Sequence, residues 1–258
     1  MNDENKSTLT ENKKPKKYFT LSFDDGITQD LKIIEILKKY NVNCISFNVN
    51  TGLCGVSWDW VGPRIGHPEV RHDRLTQEQL ESGIYKDYDV CVHTLHHPSL
   101  KQHDNNVAAL REEVVGDAEN ICAFTGSMPV GMAWPGGDNE YTETTIRLIL
   151  ENTGIRFARG ILSTHTYQLP TYFMQWQPTC SLCDPAVLEL ADAFVKAECT
   201  EDMIFYVWGH GYELDAFDLY GKLDALIEKM VNAGDVELVT NTEFYHLFKD
   251  KIPSWKEA

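Results

Sequence analysis

The sequence predicts an α/β protein built on a mostly parallel sheet, either open or closed into a barrel. Three observations predict it. Strand-like apolar runs alternate with helix-like runs along almost the whole chain. No internal repeat and no linker-like stretch divides it. Its 258 residues, 43% of them hydrophobic, suit one large core of the size that α/β barrels reach.

The elements follow in order. Residues 18–23 (YFTLSF) form a strand-like run that stops at Asp24-Asp25-Gly26. Residues 28–40 follow as a helix whose Leu31, Ile34 and Leu37 recur every third position, a spacing that packs on a core. Residues 43–49 are the next strand. A Gly- and Trp-rich stretch over 50–74 has no clear period, and irregular segments of that length are commonly functional. Thr76 with Gln79 is a capping-box pattern that opens a helix over 76–83. Strands are then expected at 88–92, 130–134, 155–159, 204–208 and 236–240. Helices are expected at 105–124, 142–153 (ended by Gly154), 185–199, 219–233 and 241–248.

Composition narrows the function. A formal net charge of −16 repels phosphate backbones and anionic lipid, so no nucleic-acid partner is expected. No run is long enough to cross a bilayer, so no membrane insertion is expected. The Asn-, Lys- and Glu-rich residues 1–16 read as a disordered leader without the apolar segment of a secretory signal. That leads us to expect a cytoplasmic protein, or one exported leaderless or after trimming. Nothing in the pattern bears on oligomeric state. The seven cysteines are odd in number and scattered, which does not suggest a disulfide framework. Cys44 and Cys91 sit in apolar runs as core residues. Cys180 and Cys183 form a C-x-x-C with no second pair at zinc-ribbon spacing.

The chemistry-bearing residues fall just after strands, and in parallel α/β architectures the strand C-termini share one face. Asp24-Asp25 follows the first strand. Alone it would be an Asp-Asp-Gly turn. His93, His96 and His97 crowd into five residues after the strand at 88–92, a spacing from which two imidazoles can face one ion. One carboxylate and two imidazoles suit a borderline metal such as zinc and leave a position open for water, the mark of a catalytic site. The remaining Asp can act as general base. His210, in WGHG after the strand at 204–208, is typed as the general acid for a leaving group that needs a proton.

Taken jointly, SFDDG at 22–26, HTLHH at 93–97 and VWGH at 207–210 resemble the motifs of the polysaccharide deacetylases, carbohydrate esterase family 4 with its NodB-type homology domain. The resemblance runs from about residue 18 to 248. It implies a distorted, incomplete (β/α) barrel in a single catalytic domain, here residues 17–250, followed by a tail over 251–258. It also implies a divalent metal (Zn2+, or Co2+, Ni2+ or Mn2+) held by Asp25, His93 and His97, with Asp24 as base, His210 as acid and Trp208 beside it. The substrate implied is an acetylated carbohydrate.

The family's third motif carries an Arg two residues before a Pro, which tethers the base. Here MAWPGG puts Ala133 at that place, ahead of Trp134 and Pro135. Arg159, at the end of a strand, is the expected replacement. Trp176 is expected as a pocket wall or a packed aromatic. Among Trp58, Trp60, Trp134, Tyr141, Trp176 and Trp208, one or two are expected to stack on a sugar ring. His96 is expected at the margin or in solvent, and His67, His72, His103, His165 and His246 as structural or surface residues. Two rival readings are an amidase acting on a non-carbohydrate acyl amide and a catalytically silent carbohydrate-binding protein.

Overall fold

A computed structural model describes residues 14–256. The leader expected over 1–16 falls mostly outside them. Among the described residues, eight strands form one parallel sheet. They are β1 (Lys17–Asp25), β2 (Ile45–Val49), β3 (Asp89–Val92), β4 (Gly131–Ala133), β5 (Phe157–Arg159), β6 (Cys180–Ser181), β7 (Met203–His210) and β8 (Val236–Leu238). Interleaved are α1 (Asp30–Tyr40), α2 (Val61–Arg64), α3 (Gln77–Glu81), α4 (Val107–Thr125), α5 (Glu143–Asn152), α6 (Val187–Lys196), α7 (Gly211–Ala216), α8 (Tyr220–Asn232) and α9 (Asn241–Phe248). The strand order is β5-β4-β3-β2-β1-β7-β6. β7 runs along one edge of β1, so β8 and β2 share the other, β8 pairing residues 17–19 and β2 residues 21–25. The curled sheet is a distorted, incomplete (β/α) barrel.

The seam between β5 and β6 is filled by one irregular segment. Trp176 bridges to Arg159, and Thr179 N–H then donates to Tyr206 O at 2.8 Å. The described part of the expected tail is strapped to this segment. Phe173 and Met174 N–H groups donate to Pro253 O and Ser254 O, and Ile252 and Trp255 are buried.

Every residue of β1 is buried, because both faces of the sheet are covered. Phe19, Leu21 and Phe23 join Ile33, Leu37, Val114, Ile149 and Leu226 in the core between sheet and helices. The alternate residues Tyr18, Thr20, Ser22 and Asp24 face the barrel interior, whose lower end is filled by Phe157, Phe173, Trp176, Tyr206 and Phe244. That interior is partly polar. Asn241, the first residue of α9, donates to Thr20 Oγ1 and accepts from Tyr206 O–H, and its backbone N–H donates to Ser46 Oγ.

The expected stripe on α1 is corrected. Its buried positions are Asp30, Ile33, Ile34 and Leu37, while Leu31 is 38% exposed. At about 100° per residue, Leu31 lies about 60° outside the arc those four share. Thr76 and Gln79 form the expected capping box. The helix α7 and the short β6 were not expected from the sequence. No helix among the described residues is long and apolar enough to cross a membrane.

Candidate active site

The strand register starts the site. Asp24 of β1 is the Cα partner of His210 on β7 and of Asn48 on β2. In an extended strand, neighbouring side chains point to opposite faces. Asp25 escapes this because its φ is +80°, so both carboxylates turn toward one pocket. Gly26 (φ +62°) completes the turn, and a Cβ there would lie 2.8 Å from Val49 Cγ1. Thr94 (φ +68°) and His97 (φ +57°) are also left-handed, so three non-glycine residues of the site hold costly backbone conformations of about 1–3 kcal/mol each. Side chains hold them there. Asn50 Nδ2 donates to Thr94 O at 2.9 Å, and Thr94 Oγ1 accepts the His97 N–H at 3.1 Å.

Asp25, His93 and His97 each offer one ligand atom, all within 4.8 Å of one another. Asp25 Oδ1 is 3.7 Å from His93 Nε2 and 3.8 Å from His97 Nε2, and this buried oxygen has no hydrogen-bond partner. His93 Nδ1 lies 3.0 Å from Ala133 O, and a carbonyl only accepts, so Nδ1 carries the proton and Nε2 presents a lone pair. Burial, then the neighbouring His93, push His97 down to about 4, and burial lowers His93 as well, so both rings are neutral. Burial opposes ionisation of Asp25. The hydrogen bond from His72, and after it His210, outweigh it and hold the carboxyl well below the usual range. An ionised carboxylate with an orphaned oxygen beside two neutral imidazoles is a donor set that fits a divalent metal.

Asp24 is held otherwise. Arg159 Nη2 donates to both of its oxygens, and Asn48 Nδ2 donates to Oδ1 at 2.8 Å. Arg159 is buried, lies over the Trp208 ring at 4.6 Å, and donates from Nη1 to Gly160 O. Burial opposes ionisation here too, but Arg159 foremost, with His210 after it, lowers the carboxyl below its ordinary value. His210 Nε2 is 3.9 Å from Asp24 Oδ2. Burial works against charge on His210. Glu213, whose Oε2 is 3.4 Å from Nδ1 and accepts the His210 N–H at 2.9 Å, overrides it with the two aspartates and raises the imidazole to about 9.

These groups line a cavity of about 300 Å³. Its walls include Trp58, Trp60, Trp134, Ile161, Trp208 and Tyr212. Trp134 is fixed by a stack on Tyr141 at 4.0 Å and by its indole N–H donating to Met174 O.

The model of the polysaccharide deacetylase family matches residues 11–158, more than half of the chain. The chain belongs to the polysaccharide deacetylase family. The family match stops one residue before Arg159 and does not reach His210. Solved structures at low identity share the fold. A Mycobacterium smegmatis protein described as a candidate polysaccharide deacetylase is 15% identical, with TM-score 0.62 over 97% of this chain and 96% of its own. A family 4 acetyl xylan esterase from Clostridium thermocellum, in complex with a cobalt ion, is 18% identical, with TM-score 0.53 over 92% and 93%. A family 4 pseudoenzyme from Bacillus anthracis is 16% identical, with TM-score 0.53 over 88% of this chain, which spans 65% of that longer one. A search of curated proteins returned no match.

Within this deacetylase fold the sequence-derived residues separate. Asp24, Asp25, His93, His97, Trp134, Trp208 and His210 meet at the pocket, and Arg159 stands behind Asp24. Pro135 is buried beneath the loop but does not line the cavity. Trp176 is corrected as a pocket wall. It is 1% exposed and packs against Phe173, Tyr206 and Phe244 inside the barrel, because its side chain points inward from the seam segment. His72, expected to be structural or at the surface, is corrected most. It is buried against Asp25, with Nε2 2.8 Å from Oδ2. Tyr212 and Glu213 were also missed, although their position directly after His210 was a usable signal. His96 is exposed and paired with Glu113. Cys180 and Cys183 are free thiols.

Proposed function

We propose that this chain is a divalent-metal-dependent hydrolase that removes acetyl groups from an acetylated sugar, N-linked or O-linked. The observation that carries the reading is a single pocket holding an Arg-tethered carboxylate, the His210 imidazole 3.9 Å from it, and an adjoining Asp/His/His donor set. The acetyl xylan esterase relative, crystallised with cobalt, supports metal use.

Asp25, His93 and His97 would hold the metal, with zinc the best match to two imidazoles and one carboxylate. When bound, it supplies Lewis acidity toward the acetyl carbonyl and makes water a better nucleophile. Asp24 takes the proton of the attacking water as the new C–O bond forms. Arg159 and Asn48 keep that carboxylate ionised and aimed. His210 gives its proton to the departing amine or alcohol as the C–N or C–O bond breaks, and acetate leaves. The two groups are pushed in opposite directions, Asp24 down and His210 up, so base and acid coexist at neutral pH. Trp58, Trp208 and Tyr212 offer apolar faces to a pyranose ring, with the buried Trp134 packed behind the cavity.

The test is acetate release by zinc-loaded protein from acetylated chito-oligosaccharides, acetylated xylan and simple acyl amides, with sugar binding measured alongside. Release from a sugar, abolished by chelation and restored by zinc, is the expected result. Full activity after chelation, or sugar binding without any release, would overturn the reading.

A further inference from the structure

The irregular segment ahead of α3 reaches the metal cluster by a route that the motifs do not describe. Its last residues run antiparallel to the turn after β1. Ile27 bridges to Arg74, Thr28 N–H donates to Asp73 O at 2.8 Å, and Leu75 N–H donates to Gly26 O at 2.9 Å. This pairing delivers His72 against Asp25. Nε2 stands 2.8 Å from Oδ2, and an ionised carboxylate only accepts, so Nε2–H is the donor. The His72 ring is buried, stacked on Trp58 (5.3 Å, 16°) and flanked by Tyr212 (5.3 Å, 51°). Its Nδ1 has no partner.

The two oxygens of Asp25 therefore differ. Oδ2 is committed to His72, whereas Oδ1 has no hydrogen bond and faces His93 Nε2 and His97 Nε2. Arg74 does not substitute for His72. Its Nη2 is 3.6 Å from Oδ1, bonds Asn50 Oδ1 at 3.4 Å, and its guanidinium lies over Trp58 at 3.8 Å.

We propose that His72 is a positioning residue for the metal centre: by holding Oδ2 it makes Asp25 offer Oδ1 alone. The inference rests on the metal reading above. A carboxylate that binds through one oxygen leaves room in the coordination sphere for water and a substrate carbonyl, which a two-oxygen ligand would fill. The aromatic stack on Trp58 sets the plane of the imidazole, and so the direction of its N–H.

Two substitutions separate hydrogen bonding from packing. His72→Phe keeps a ring against Trp58 and removes the donor. His72→Gln restores an N–H of similar reach without the ring. Calorimetric titration with zinc chloride alone should show His72→Phe weakened about 10–100-fold, the usual cost of losing such an outer partner, and His72→Gln recovering most of it. The visible spectrum of the cobalt(II)-loaded protein should change in His72→Phe and return toward wild type in His72→Gln. Wild-type zinc affinity and an unaltered cobalt spectrum in His72→Phe would overturn the proposal. So would equal loss in both variants, which would make the residue a packing element. Failure of the wild-type chain to bind zinc would instead overturn the metal reading, and this proposal with it.

Discussion

Glu213→Gln tests how the pocket sets its acid. Glu213 Oε2 lies 3.4 Å from His210 Nδ1 and accepts the His210 backbone N–H at 2.9 Å. The amide oxygen of Gln can still accept that N–H, so the substitution removes charge with little change of shape. His210 is raised to about 9 against its burial, with Glu213 the first of the opposing causes and Asp25 and Asp24 after it. A cation bound at Asp25 offsets the aspartates, which leaves Glu213 the main support. Without it, burial returns the imidazole to about 6.5 or below. Because the cation cancels part of the aspartates' support, about 9 is the ceiling for the wild type, and at pH 8 the protonated fraction drops from at most about nine-tenths to about 3%, a fall of up to roughly 30-fold. The sign is definite. With His210 as the proposed acid, activity is lost as pH rises through its pKa, and the variant's alkaline limb moves to lower pH by up to about two and a half units. The assay is kcat/KM for acetate release across about pH 5–10 on zinc-loaded protein. An alkaline limb that superimposes on wild type would refute the assignment of Glu213, and a limb that moves upward would refute His210 as the acid.

Other outcomes follow from the same geometry. Asp24→Asn should keep zinc binding by calorimetry yet lose about 10²–10⁴-fold in turnover, whereas His97→Ala should lose zinc as well. Arg159→Ala leaves Asp24 a buried charge with only Asn48 as donor, so turnover should fall and unfolding should cost about 3–5 kcal/mol less by urea titration; unchanged turnover would remove Arg159 from the tether. Gly131→Ala puts a Cβ 1.8 Å from Phe157 Cζ in the strand beside the one carrying Arg159, and should lower stability by about 1–3 kcal/mol or more, read as a lower urea midpoint with an unchanged slope.

Asp24, Asp25, His93, His97 and His210 were legible because each directly follows a strand-like run, and parallel strands bring such residues to one face. Arg159, which donates to both oxygens of Asp24, was legible for the same reason. His72 was not legible. It lies in a stretch without periodicity, and its contact with Asp25 depends on an antiparallel bridge between the turn after β1 and residues 73–75. Nor could pattern decide Trp176. A tryptophan reads alike whether it faces a ligand or the inside of a barrel, and only the seam pairing aims it inward. The helix α1 shows the limit of counting at threes, where Leu31 slips off the face that Asp30 takes instead.

The Asn241 junction bears on the site from the opposite end of the sheet. Side chains in a strand alternate, so a one-residue slip of β1 would trade Asp24, opposite His210, for Phe23 or Asp25. Apolar residues on both faces would forgive that slip better than polar ones. Asn241 does not forgive it. It grips Thr20 on β1, Ser46 on β2 and Tyr206 on β7 together, and any shift would strand a buried amide without partners. The base of the barrel thus proofreads the alignment of the rim where Asp24 meets His210, and Asn241→Leu should scramble that alignment without altering a single pocket residue.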